Sequence, residues 1–196
     1  MMAEMMAMDN TTDLGREAYF ADLMGHASGH PNDELLARML ASAILREGVL
    51  GPCLGLPADT FSALTQNHFP GYGEVIPGDS SEDSAAGRKE EIVDLVKLLS
   101  AHRANASKSE LWMVTIVATA CLGKDHLWQD LGLWRRADLT RLMQVNFPAL
   151  SEKNSRDMKW KNFLYKQLCE SEGIYVCRAP TCDECADFEK CFGPEE

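Results

Sequence analysis

The sequence predicts an all-α protein, and three observations carry that prediction. Apolar residues recur with the helical period in nearly every segment, as Leu14, Ala18, Tyr19 and Leu23 do, and again Ile92, Leu95, Val96 and Leu99. No stretch alternates apolar and polar residues long enough to make a strand. Helix terminators close the periodic stretches: Gly48, Phe69-Pro70 and Phe147-Pro148.

Taken in order, the periodicity places helices over about 11–25, 32–46 (opened by HPND), 58–68, 88–103, 109–122, 135–146 and 155–171. HLWQDLGL forms a short segment before Trp134, and GYGEVIPGDSSEDSAAG reads as a surface loop or linker over 71–87. The expected architecture is a bundle of about seven helices over 1–171, followed by an irregular cysteine-rich tail over 172–196.

Two segments of this bundle look alike. LGLPADTFSALTQNHFP (54–70) and LGLWRRADLTRLMQVNFP (131–148) share an opening Leu-Gly-Leu, an inner Ala-Asp and a closing Leu-x-Gln-x-x-Phe-Pro. The trios Ala41-Ser42-Ala43 and Ala118-Thr119-Ala120 precede them at the same offset of 77 residues. This suggests a degenerate internal repeat, 11–70 and 88–148, joined by the 71–87 linker. Small residues let helices approach closely, so the two trios suit a contact between central helices.

Charge narrows the partner classes. Nineteen Lys and Arg against 30 Asp and Glu leave a net charge of -11, which argues against nucleic acid or an anionic membrane as the main partner. Residues 135–166 reverse the sign, with Arg135, Arg136, Arg141, Lys153, Arg156, Lys159, Lys161 and Lys166 against Asp138, Glu152 and Asp157. A solvated face explains such a run, and so does a docking place for an anion or an acidic partner.

MMAEMMAMDN carries Glu4 where a signal peptide has its basic region, and the longest apolar stretch, LWMVTIVATACLG, is well short of the ~20 residues of a membrane span. The expected location is therefore the cytoplasm, where disulfides rarely persist and clustered cysteines point to metal or redox chemistry.

Cys177, Cys182, Cys185 and Cys191 fall within VCRAPTCDECADFEKCFGPEE at spacings x4, x2 and x5. Thiolate sulfur is a soft ligand for zinc or for iron–sulfur clusters, and Cys182 and Cys185 form a pair that can converge on one ion or cluster face. Zinc sites usually set two such pairs on separate knuckles. Here the tail has neither a second pair nor a histidine, so a cluster is favoured while zinc and unligated thiols stay open.

The cysteine ending, preceded by CLGKDHLWQDLGL, by LMQVNFPALSEKNSRDMKWKNFLYKQLCE and by an acidic helical N-terminal half, resembles the NifQ family of nitrogen-fixation proteins over about residues 90–192. The resemblance implies a cytoplasmic carrier rather than an enzyme. It implies that Cys177, Cys182, Cys185 and Cys191 hold an iron–sulfur cluster, of three-iron, four-sulfur type able to take up molybdenum or of four-iron type. It further implies a molybdate or thiomolybdate source, and nitrogenase cofactor-assembly proteins as acceptors of the molybdenum.

On that expectation, Arg135, Arg136, Lys159 and Lys161 are candidates to attract molybdate or to dock an acidic partner. An electron-transfer iron–sulfur protein and a zinc-stapled helical adaptor are the competing readings. Cys53, Cys121 and Cys169 read first as packing residues, Cys169 also as an alternate ligand. His26 and His30 are spaced i, i+4, but Gly29 and Pro31 break the helix that would align them. His126 is a candidate molybdenum ligand, against a simple turn that packs Trp128. No catalytic triad order, phosphate loop or paired catalytic carboxylates stand out.

Overall fold

The computed structural model describes residues 2–73, 89–171 and 188–193. Among them are ten helices and no strand: α1 Met2–Gly25, α2 Asp33–Ile44, α3 Ala58–His68, α4 Lys89–Ala101, α5 Lys108–Ala120, α6 Leu127–Asp130, α7 Arg136–Asn146, α8 Pro148–Lys153, α9 Trp160–Ser171 and α10 Phe188–Phe192. Most of the expected 71–87 linker, together with Cys177, Cys182 and Cys185, lies outside the described residues. Among the described residues, no helix is long and apolar enough to cross a membrane.

The all-α class holds, and the helix count exceeds seven because three short helices join the long ones. Phe147 ends α7 and also precedes α8, whose first residue is Pro148, a position where the missing N–H has no intrahelical partner to lose. The last long helix begins at Trp160 rather than near 155. Asn154 is the reason: its buried side chain accepts from the Met158 N–H and donates to the Met158 carbonyl, both at 2.9 Å. Those bonds lock 154–158 as a turn, with Asp157 in the left-handed region at φ +56°.

α2 and α5 are the central helices. Leu35, Leu36, Ala37, Met39, Leu40 and Ala41 are buried around α2, and Met113, Val114, Ile116, Val117, Ala118 and Ala120 around α5. α1 packs on α2, while α4 packs on α5 and α9. One apolar core gathers Leu23, Leu64, Phe69, Leu95, Leu99, Leu139, Phe147 and Leu164 between them.

Several positions 77 or 78 apart meet or behave alike. Gly55 (φ +72°) lies so near Thr119 that a Cβ there would fall 2.8 Å from its methyl. Gly132 (φ +69°) lies against Ser42 in the same manner, at 3.0 Å from its Cβ. The glycine of each Leu-Gly-Leu thus abuts the middle residue of the other segment's small trio. Phe69 and Phe147 leave their helices with nearly the same backbone angles (-135°, 61° and -137°, 56°) and both are buried. Asn32 donates to the Ser109 hydroxyl at 2.9 Å and exchanges amide bonds with Asn146 at 2.8 and 2.9 Å.

Buried charge also ties α2 to α7. Arg38 of α2 is 8% exposed and pairs with Asp138 of α7 and with Glu34 at 2.6 Å. Glu34 in turn binds Arg141. This hydrogen bond, ahead of the burial that opposes it, holds the Glu34 carboxyl below its ordinary value.

Candidate metal centre

Cys191 sits on α10, a helix of five residues, too short to persist by its own hydrogen bonds. The tail over 188–192 is therefore helical rather than irregular, and its order comes from the helices it touches. Phe188 and Phe192 stack at 4.6 Å with 22° between their planes, as i, i+4 neighbours on one helical face. The Arg156 guanidinium lies 5.9 Å from the first ring and 5.3 Å from the second, a cation–π seat supplied by the 154–158 turn.

Polar contacts complete the dock. The Lys159 N–H donates to the Cys191 carbonyl at 2.7 Å, and the Lys159 ammonium reaches the Glu189 carbonyl at 3.4 Å. The Asn162 amide donates to the Lys190 carbonyl at 3.1 Å and to Cys191 Sγ at 3.6 Å. Cys191 is half-buried and packs, like Phe192, against the core. The Asn162 amide is the side-chain donor that reaches this sulfur, while Lys159 and Arg156 hold the backbone and rings around it.

Beside this dock is a cleft of about 400 Å³ between the 153–158 turn and α9. Lys153, Arg156, Lys166, Gln167, Glu170 and Phe192 are among its lining residues. Glu170 accepts from Gln167 at 2.8 Å and pairs with Lys166 at 3.6 Å. Lys153 is exposed and makes no ion pair among the described residues.

The structure redistributes the basic run. Lys161 is structural: its ammonium binds the Asp130 carboxylate, 1% exposed, and the Gly123 carbonyl at 2.9 Å. Arg135 pairs with Asp138 at 3.2 Å and Arg136 with Asp157 at 2.7 Å. Of the four cations singled out from the sequence, Lys159 alone contacts α10, while Arg156, Lys153 and Lys166 gather at the cleft. Asn162 gave no signal in the sequence, because an amide in a helix's first turn is ordinary until its partner is known.

CLGKDHLWQDLGL acquires a structural account. Gly123 has no room for a Cβ, which would fall 2.3 Å from the Asp130 carboxyl. The Asp130 carbonyl accepts from Val49, and the Gln129 side chain accepts from the His126 N–H at 3.1 Å. His126 precedes α6 and Trp128 packs on the core, as the simpler reading expected.

His26 and His30 lie in the connection between α1 and α2 and share no helical face. His26 bonds to the Asp22 carbonyl at 2.9 Å, and the His30 ring stands 5.1 Å from that of His68. His68 is fully buried and bonds to Asp33 at 2.5 Å, while Asp33 accepts from the Gly29 and His30 N–H groups at 2.7 and 2.8 Å. Burial pushes the His68 imidazole below its ordinary value, and the Asp33 hydrogen bond opposes that in part. Cys121 is buried, and Cys53 and Cys169 are half-buried, with burial raising the Cys53 thiol. Among the described residues, no three His, Cys, Asp or Glu side chains converge on a metal position.

Comparison with known proteins gives one family. The NifQ family model matches residues 35–193. Protein NifQ of Azotobacter vinelandii is 44% identical over 152 residues, 72% of this chain and 78% of the relative. A NifQ homolog of Sinorhizobium fredii is 34% identical over 83% of this chain and 70% of the relative. Protein NifQ of Rhodobacter capsulatus is 31% identical over 82% of this chain and 87% of the relative. No solved structure matches.

Proposed function

The chain belongs to the NifQ family of nitrogen-fixation proteins, and from that premise we propose that it is a molybdenum carrier rather than an enzyme. It captures molybdenum at an iron–sulfur cluster held by its C-terminal cysteines and passes it to the proteins that assemble the nitrogenase iron–molybdenum cofactor. The observation that carries this reading is the docking of Cys191: a half-buried sulfur with an amide donor, pinned beside a cation-lined cleft.

The residues suit such a cluster by chemistry. Cys177, Cys182, Cys185 and Cys191 supply soft thiolates, and the Asn162 amide at the Cys191 sulfur is the kind of outer contact that orients a ligating thiolate. Bound there, a cluster supplies sulfide-bridged iron to which molybdenum can be added and from which it can be released. The chain's own part is to hold and to aim. Arg156, Lys159 and Asn162 fix the Cys191 end of the ligand set, and the cations beside it favour an incoming anion. The carrier works in the cytoplasm, where thiols stay reduced.

Anaerobic purification with metal and acid-labile sulfide analysis tests this. Molybdenum with iron and sulfide is the expected result. Iron and sulfide without molybdenum uptake indicate an electron-transfer protein, and zinc alone a stapled adaptor; either overturns the carrier. Cys191→Ser is expected to lower metal retention while the helical circular dichroism is kept.

A further inference from the structure

We propose that Asn154 is a positioning residue for Cys191, acting through the Met158–Lys159 peptide plane to fix the place of that cysteine for the metal. The inference rests on the carrier reading and adds a residue that acts on the ligand at one remove.

Asn154 is 8% exposed, and both ends of its amide go to Met158: the oxygen accepts from the Met158 N–H and the nitrogen donates to the Met158 carbonyl, each at 2.9 Å. An amide suits both bonds, since a carboxylate offers no donor. The Asp157 N–H returns to the Asn154 carbonyl at 3.0 Å, and Asp157 takes the left-handed conformation, so the turn closes on itself between α8 and α9.

The Met158 carbonyl and the Lys159 N–H belong to one peptide unit. That unit is planar and trans, so the two groups point to opposite sides. Holding the carbonyl from one side therefore aims the N–H to the other, where it donates to the Cys191 carbonyl at 2.7 Å. Asn154 and Cys191 thus bind the two ends of the same rigid unit. The Lys159 carbonyl already accepts from the Phe163 N–H at 2.9 Å, which makes Lys159 the residue from which α9 starts. An N–H at that position has no acceptor within its own helix, and the Cys191 carbonyl supplies one.

The same turn provides a second hold. Arg156 follows Asn154 by two residues, and its guanidinium lies 5.9 and 5.3 Å from the rings of Phe188 and Phe192, which bracket Cys191 in the chain. One buried amide therefore governs a backbone hold and a ring hold together. A helix of five residues gains little order from its own bonds, so loosening the turn loosens Cys191.

Asn154→Asp in the full-length chain, reconstituted anaerobically, tests the relay. The variant keeps an acceptor for the Met158 N–H but sets a carboxylate against the Met158 carbonyl, which turns the peptide plane from its aim. Hydrogen exchange of the Lys159 amide is expected to quicken. Iron transfer to a chelator is expected to quicken about tenfold, the lower end of what losing an outer contact costs a metal ligand. Gly55→Ala and Gly132→Ala, which disturb contacts with Thr119 and Ser42, control for lost stability and are expected to release iron as wild type does. Asn154→Ser carries the same expectations should far-UV circular dichroism show Asn154→Asp unfolded.

Unchanged Lys159 exchange, or unchanged iron release, overturns the positioning role and leaves the carrier reading standing. So does a release rate that follows the urea midpoint alone across Asn154→Asp, Gly55→Ala and Gly132→Ala, because stability then explains the whole effect. A chain that retains zinc alone overturns the carrier instead; zinc transfer to the chelator then replaces iron, and the positioning role stands or falls on that rate.

Discussion

Asn162 holds Cys191 through a single nitrogen, which reaches the sulfur at 3.6 Å and the preceding Lys190 carbonyl at 3.1 Å. Backbone and sulfur are thus fixed by one side chain on α9, so the place of this cysteine is set by a helix of the bundle. Removing that side chain is expected to loosen the cysteine without disturbing the core, since Asn162 itself is exposed.

Asn162→Ala is therefore expected to speed iron loss. Outer contacts to metal ligands are commonly worth about 10- to 100-fold in metal affinity, and the lower end suits a hydrogen bond at 3.6 Å. The rate of iron transfer from the anaerobically reconstituted chain to a chelator reads this directly. An unchanged rate, with the cluster intact at the start, removes Asn162 from the account.

Lys161 is expected to behave as part of the fold. Lys161→Ala leaves the Asp130 carboxylate, 1% exposed, without its cation, and breaking such a pair costs about 3 kcal/mol. The urea midpoint should fall accordingly, while Lys153→Ala, at an exposed residue with no ion pair among the described residues, leaves it nearly unmoved. Equal midpoints for the two variants would contradict the assignment of Lys161 to structure.

The two reciprocal glycines carry a third expectation. Gly55 and Gly132 both have positive φ and both abut a residue of the opposite small trio. Gly55→Ala and Gly132→Ala should each destabilise by about 1–3 kcal/mol, from backbone strain together with the displaced neighbour. Gly51 also has positive φ but meets nothing within 4 Å. Gly51→Ala isolates the strain, and its smaller loss in thermal unfolding measures the contact by difference. Losses that do not exceed that of Gly51→Ala would show the two contacts to be loose.

What the sequence disclosed follows from what repeats locally. Helices α2, α3, α5 and α7 were legible because burial imposes a 3.6-residue period and because the Phe-Pro pairs mark two of their ends. The turn at Asn154 was not, since a five-residue side-chain bridge leaves no periodic trace and its basic neighbours read as helix. Partners such as Arg38 and Asp138 lie 100 residues apart, and nothing in their local context announces the match. Four cysteines in fifteen residues suggest metal by their chemistry whatever the fold, and of these Cys191 alone lies among the described residues. The dock of α10 was not, because it depends on Arg156, Lys159 and Asn162 meeting the tail across 28 to 36 residues of chain.

Acid sensitivity should trace to His68. Burial lowers its pKa in the fold, so in the interval from the ordinary value near 6.5 down to the folded value the unfolded chain binds more protons. The stability held by neutral His68 is therefore complete above pH 6.5 and is lost progressively as pH falls below it. Glu34 acts in the same direction at lower pH, because its lowered carboxyl contributes stability above its unfolded pKa that disappears on further acidification. Asp33 and His30 are the titratable groups against the imidazole, the first favouring its charged form and the second opposing it. His68→Gln keeps a side chain able to hydrogen-bond Asp33 and cannot titrate. It should lower stability at pH 7.5, yet flatten the fall in urea midpoint between pH 7 and pH 5.5. A variant that keeps the wild-type slope through that interval would place the acid-sensitive proton on another group.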